Sequence, residues 1–152
     1  MGFEFLNNLT EQDIIIICIG TPHVELDSLG PLLGTLIKES TDIEVYGTMD
    51  NPIHALNVAK FLKTFQPKDK VVVALDACVG KCLGEVRVER RPVRPGAGVG
   101  KILPPVGDYA ILVTVATHVI DLYTHGHLDK INTYVDKVFN YIVSNLKGGE
   151  TK

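Results

Sequence analysis

Three stretches of the chain are apolar almost without interruption: Asp13–Ile19 ("DIIIICI"), Val71–Leu75 ("VVVAL") and Tyr109–Thr117 ("YAILVTVAT"). Runs of this kind describe strands covered on both faces, as in parallel α/β sheets. Between them the pattern changes period. After the loop "TPHVELDSLGP" a helix is predicted from Asp27 or Ser28 to Glu39; both are good N-cap types, and Pro31 is tolerated near a helix start. "IEVYG" is a short strand. "NPIHALNVAKFLKTF" reads as an amphipathic helix entered at Asn51 and Pro52, with Ala55, Val58, Ala59, Leu62 and Phe65 on one stripe.

"GEVRVERRPV" alternates valines with charges and suits an edge strand. A Gly/Pro-rich loop, "PGAGVGKILPPVGD", follows it. After the third buried run, "HVIDLYTHG" is a short helix. "HLDKINTYVDKVFNYIVSNL" is a long one, with Leu128, Ile131, Val135, Val138, Ile142 and Leu146 at helical spacing. No composition break divides residues 1–152, so one domain is expected, with 147–152 as a frayed tail.

Alternating strands and helices predict a three-layer α/β/α sandwich around a mostly parallel sheet of about five strands. Ligands of such sheets bind outside the carboxyl ends of the strands. If the first strand and Val71–Leu75 are neighbours, the loops that follow them share one rim. Asp27 and Asp76 then converge there.

Composition narrows the functional classes. The formal net charge of −3 argues against a dedicated nucleic-acid surface. No run reaches the roughly 18 apolar residues of a membrane span, and the first residues carry no secretory signal pattern. Three cysteines, Cys18, Cys78 and Cys82, suit reduced thiols in the cytoplasm better than a disulfide scaffold.

Two neighbouring carboxylates can share a proton, one then acting as acid and the other as base toward water. They can also hold a divalent cation. Their structural alternatives are a helix cap at Asp27 and bonds to loop amides at Asp76. His118 follows the third buried strand and is a candidate base or third metal ligand. His23 and Ser28 are weaker candidates, and His54, His125 and His127 read as helix-surface or turn residues. The pair Cys78 and Cys82 lacks the partner pair of a structural zinc site.

"PGAGVGK" does not match a nucleotide phosphate loop, because only three residues separate Gly96 from Gly100 and Ile102 stands where Ser or Thr would hold magnesium. A strand follows it instead of a helix. Gly96, Gly98, Gly100 and Lys101, with Arg94, are expected to border a cleft and touch an extended ligand.

The motifs "GTPHVELDSLGPLLG", "VYGTMDNPIHALN", "VVALDACVG" and "RPGAGVGKILPPVGD" resemble the YyaC-type sporulation proteins, from Ile17 to about Asp121. That family is similar in turn to the germination protease of spores and, more remotely, to hydrogenase-maturation endopeptidases. The resemblance implies a hydrogenase-maturation-protease-like fold, of the phosphorylase/hydrolase-like class. It implies a catalytic pair at Asp27 ("LDSLGP") and Asp76 ("LDAC"), and a Gly-rich loop lining the peptide cleft. Asp76 would activate water while Asp27 shares its proton.

In the maturation endopeptidases, two acids and a later histidine bind nickel, which makes Asp27, Asp76 and His118 a metal-binding alternative. The protein is shorter than the germination protease and lacks a recognisable propeptide. The expectation is a cytoplasmic, sporulation-associated peptidase without a required cofactor. It would act alone or as an oligomer on peptide or protein substrates such as spore proteins, with no nucleic-acid or membrane partner. The alternatives are a metal-dependent maturation-type endopeptidase and a non-catalytic binding protein that keeps the fold.

Overall fold

The structure, a computed structural model, describes residues 2–95 and 103–148. Five strands form one sheet in the order β2-β1-β3-β5-β4. They are β1 (Ile14–Cys18), β2 (Glu44–Tyr46), β3 (Val71–Val79), β4 (Val86–Glu89) and β5 (Tyr109–Ala116). β2, β1, β3 and β5 run parallel, and β4 lies antiparallel on β5 at the edge. The alternating valines of "VRVE" therefore do form an edge strand, and the three continuous apolar runs are the three inner strands.

Side-chain alternation divides the core in two. Ile14, Ile16, Cys18, Val73 and Leu75 face one side, and Ile15, Ile17, Val72 and Ala74 the other. The first face is covered by α1 (Leu29–Ser40) and α3 (Leu128–Asn145), the second by the short α2 (Val58–Thr64). This is the expected three-layer sandwich. Ile131, Val135, Val138 and Ile142 of the α3 stripe are buried, each contributing about 1.5–3 kcal/mol of apolar transfer. Leu128, at the first position of that stripe, is exposed instead.

The second helix is shorter than its sequence pattern. Residues 51–57 are not helical: Ile53 is an isolated bridge, 55–57 form a turn, and α2 begins only at Val58. Ile53 explains the delay: it forms a parallel bridge with Ile19, and its carbonyl accepts the Gly20 N–H at 2.8 Å. That extended residue cannot also be helical. The Asn57 side chain accepts the His54 N–H at 2.8 Å and holds the turn that follows. Phe61 and Phe65 of this segment then stack 5.2 Å apart beside Tyr46 of β2.

β3 is longer than expected. It continues past Leu75 to Val79, so Asp76 lies inside the strand, in register with Leu112 of β5. A register shift between Cys78 and Val79 marks its end. Lys147, in the segment expected to fray, donates its N–H to the Leu9 carbonyl at 2.8 Å.

Candidate active site

The site is built where β1 and β3 end side by side. The Ile19 N–H continues the ladder to the Leu75 carbonyl at 2.8 Å. Gly20 then turns the chain with φ of +154°, and a Cβ there would stand 2.2 Å from the Asp27 carbonyl oxygen. Only glycine lets the Asp27 turn lie this close to the strand end. A Cβ on Gly30 would likewise stand 2.2 Å from the Ile19 carbonyl oxygen, so the start of α1 rests directly on β1.

Asp27 ends the 3-10 turn Glu25–Asp27 and does not cap α1. Ser28 holds the cap position, and its hydroxyl donates to the Glu25 carbonyl at 2.6 Å. The Asp27 Oδ2 instead accepts the Thr21 N–H at 3.0 Å, across the loop. The turn is clamped from outside by Glu25, whose Oε1 accepts the N–H groups of Gly126 and His127 at 3.0 and 2.8 Å. His125 Nδ1 lies 3.0 Å from the other Glu25 oxygen. The His127 N–H, joined by the His125 ring and the Gly126 N–H, holds the Glu25 carboxyl below its usual range.

Asp27 and Asp76 line one cleft of about 580 Å³. Asp76 shares the sheet face of Val72 and Ala74 because strand side chains alternate, and Cys78 follows it on that face. Burial pushes the Asp27 carboxyl up to about 6 against the opposing Thr21 N–H bond. Asp76 is raised well above the usual carboxylate range, by burial first and by the Asp27 charge second. The Asp27 charge thus adds to burial in favouring the protonated form of Asp76.

The other expected site residues divide. Arg94 lines the cleft. Gly96, Gly98, Gly100 and Lys101 lie outside the described residues. His118 does not join the cleft: its side chain is 78% exposed, with Nδ1 3.1 Å from Thr117 Oγ1 and 3.7 Å from Asp121. It stands two residues past the end of β5, on extended backbone. Among the described residues no three His, Cys, Asp or Glu side chains form a group that could hold a metal ion. The residues present therefore do not fit the three-ligand arrangement at Asp27, Asp76 and His118.

Cys18 is buried in β1, and burial pushes its thiol up to about 12. Cys82 is exposed, while the Cys78 Sγ, which lines the cleft, lies 3.6 Å from Thr114 Oγ1.

His54, read from sequence as a helix-surface or turn residue, opens a turn, and beyond that reading it lines the cleft. The Ile19–Ile53 bridge delivers it there. Its Nδ1 accepts the Leu56 N–H at 3.2 Å, which assigns the neutral ring's proton to Nε2. The spacing His54-x-x-Asn57 was the local signal, since that asparagine holds the turn. Arg87 and Arg91 also line the cleft, beside the apolar side chains of Val119, Leu122 and Tyr123.

The fold defines the class: a three-layer α/β sandwich around a mostly parallel five-stranded sheet. The crystal structure of the NiFe hydrogenase maturation protease HycI from Thermococcus kodakarensis KOD1 superposes with a TM-score of 0.56, covering 91% of this protein and 97% of that one at 18% identity. The protein belongs to the family described as "Protein of unknown function (DUF1256)", which matches residues 2–142. It is 40% identical over 112 residues to the uncharacterized protein YyaC of Bacillus subtilis (strain 168), a match covering 70% of its own length and 55% of that relative. The matched part is thus about half the length of that curated relative. Among the described residues no helix is long and apolar enough to cross a membrane.

Proposed function

We propose that this protein is a peptidase that hydrolyses a peptide bond with Asp27 and Asp76. The observation that carries the reading is the pairing of two half-buried carboxyls in one cleft, both raised by burial and Asp76 raised further by the Asp27 charge. In this scheme the Asp27 carboxylate takes a proton from a water as its oxygen bonds to the scissile carbonyl carbon. Asp76 hydrogen-bonds the carbonyl oxygen as charge develops on it. Collapse of the tetrahedral species breaks the C–N bond, and the proton gathered by Asp27 passes to the leaving nitrogen. One water is consumed, one carboxyl and one amine are released, and the pair returns to its starting charge.

In this scheme the roles are the reverse of the sequence expectation, because burial and the Asp27 charge together favour the protonated form of Asp76. The substrate is a peptide segment of a protein, spore proteins being the class that the resemblance to the germination protease suggests. The compartment proposed is the cytoplasm.

The test is digestion of a mixed peptide library in ¹⁸O-water, read by mass spectrometry. Wild type should create new C-termini carrying one ¹⁸O, and Asp27→Asn and Asp76→Asn should lose this by several orders of magnitude. Absence of cleavage by folded wild type, or cleavage retained by both variants, refutes the proposal. The first result would favour a non-catalytic binding protein.

A further inference from the structure

The sequence has four arginines, and all four fall within residues 87–94. Its eleven other cationic residues are lysines, spread along the rest of the chain. Three of the four, Arg87, Arg91 and Arg94, line the cleft that holds Asp27 and Asp76. They come from β4 and the segment just after it, so one edge of the sheet supplies a guanidinium wall.

Little inside the protein occupies that wall. Arg87 reaches Glu85 at 3.7 Å, and Arg91 pairs with Glu89, both with neighbours two residues away on the surface. Arg94 is exposed and has no ion pair among the described residues. Neither Glu85 nor Glu89 lines the cleft. Exposed pairs of this kind are weak and exchange readily for an incoming anion. The guanidinium group is planar and always charged, and it binds a carboxylate through two parallel N–H bonds that a lysine cannot reproduce. In a protein of net charge −3, an arginine cluster confined to one cleft marks a site for an anionic ligand.

We infer that the arginine wall of Arg87, Arg91 and Arg94 recognises a carboxylate of the bound peptide, so that the cleft selects acidic segments. The inference deepens the peptidase reading and rests on it for the nature of the ligand. Two further features favour a peptide over a nucleic acid. The Asp27 carboxylate on the same cleft repels a polymer with a charge at every residue. β4 also has no strand on its outer side among the described residues, which suits an extended backbone. The apolar side chains of Val119, Leu122 and Tyr123 accept an aliphatic or aromatic neighbour of the acid. The carboxylate can be an internal Asp or Glu side chain or the peptide's own C-terminus.

The experiment is fluorescence anisotropy on the full-length Asp76→Asn protein, with short labelled peptides that contain two Glu or two Gln at the same positions. Each is made with a free and with an amidated C-terminus, and a single-stranded oligonucleotide is run beside them. If the wall reads an internal side chain, Glu peptides bind about tenfold or more tighter than Gln peptides at low salt, whatever the terminus. If it reads the terminus, amidation abolishes binding of both. In either case the preference collapses when Arg91→Gln and Arg94→Gln are added, while the circular-dichroism melt is retained. Arg94→Lys keeps the charge and should recover only part of it.

Equal affinity for all four peptides, binding of none, a preference that survives the arginine substitutions, or arginine-dependent binding of the oligonucleotide above any peptide would overturn the inference. Failure of the peptidase reading looks different. In that event the acidic peptides bind in an arginine-dependent way, and wild type leaves them intact.

Discussion

Replacing Asp27 by asparagine keeps the shape of the side chain and removes its charge, so it separates the cost of burying a carboxylate from the structure that carboxylate holds. Burial lifts the Asp27 carboxyl from 3.8 to about 6. The folded state therefore binds a proton that the unfolded state has already lost, and stability falls as pH rises between those two values. Above pH 6 the full penalty applies, about 2 pK units or roughly 3 kcal/mol at most. The amide can still accept the Thr21 N–H with Oδ1, although it forfeits the charge-assisted part of that bond, about 1 kcal/mol.

The net expectation is that Asp27→Asn is about 1–2 kcal/mol more stable than wild type at pH 8, which is a rise of roughly 2–8 °C in Tm for a protein of this size. The gain shrinks as pH falls and approaches zero only below about pH 3, where wild type is protonated in both states. Relief of Asp76 from its charged neighbour works in the same direction. Urea unfolding followed by circular dichroism at several pH values measures the difference. A destabilisation of equal size at every pH would refute the reasoning and show that Asp27 only staples its loop.

Hydrolysis should show a bell-shaped dependence of kcat/KM on pH, rising through about pH 6 as Asp27 ionises and falling at higher pH as Asp76 loses its proton. A profile flat across that range would dismiss the paired acids. Gly30→Ala places a Cβ 2.2 Å from a backbone oxygen, and should cost roughly 1–3 kcal/mol or more in urea unfolding and displace the Asp27 turn. Glu25→Gln weakens the clamp on that turn. Because the Glu25 carboxyl is held low in the folded state, its contribution is present above its unfolded pKa and lost as pH falls through the folded one. The Tm difference from wild type should thus be clear at pH 7 and fade in acid; a pH-independent difference would contradict it.

Much of the architecture was legible one residue at a time. Continuous apolar runs at Ile14–Cys18 and Tyr109–Ala116 can only be strands buried on both faces, and the alternating valines of β4 can only lie at an edge. The α3 stripe and the rough extent of α1 follow from helical periodicity in the same way. Asp27 and Asp76 stood out because each comes after a continuous apolar run, Asp13–Ile19 and Val71–Leu75.

What local pattern could not supply was long-range pairing. The adjacency of β1 and β3, which brings the two acids into one cleft, is a matter of strand order. The register of β3 on β5 carries the strand through Asp76 and aims it with Val72 and Ala74 into that cleft. The Ile19–Ile53 bridge overrode a plausible helical pattern and delivered His54. His118 turned outward for the complementary reason: closeness to a strand end says where a backbone leaves the sheet and not where its side chain points. Four clustered arginines were visible in the sequence, but only the placement of β4 at the sheet edge made them a wall. Periodicity records which faces of a segment are buried; which segments share a face is decided by contacts between residues far apart in the sequence.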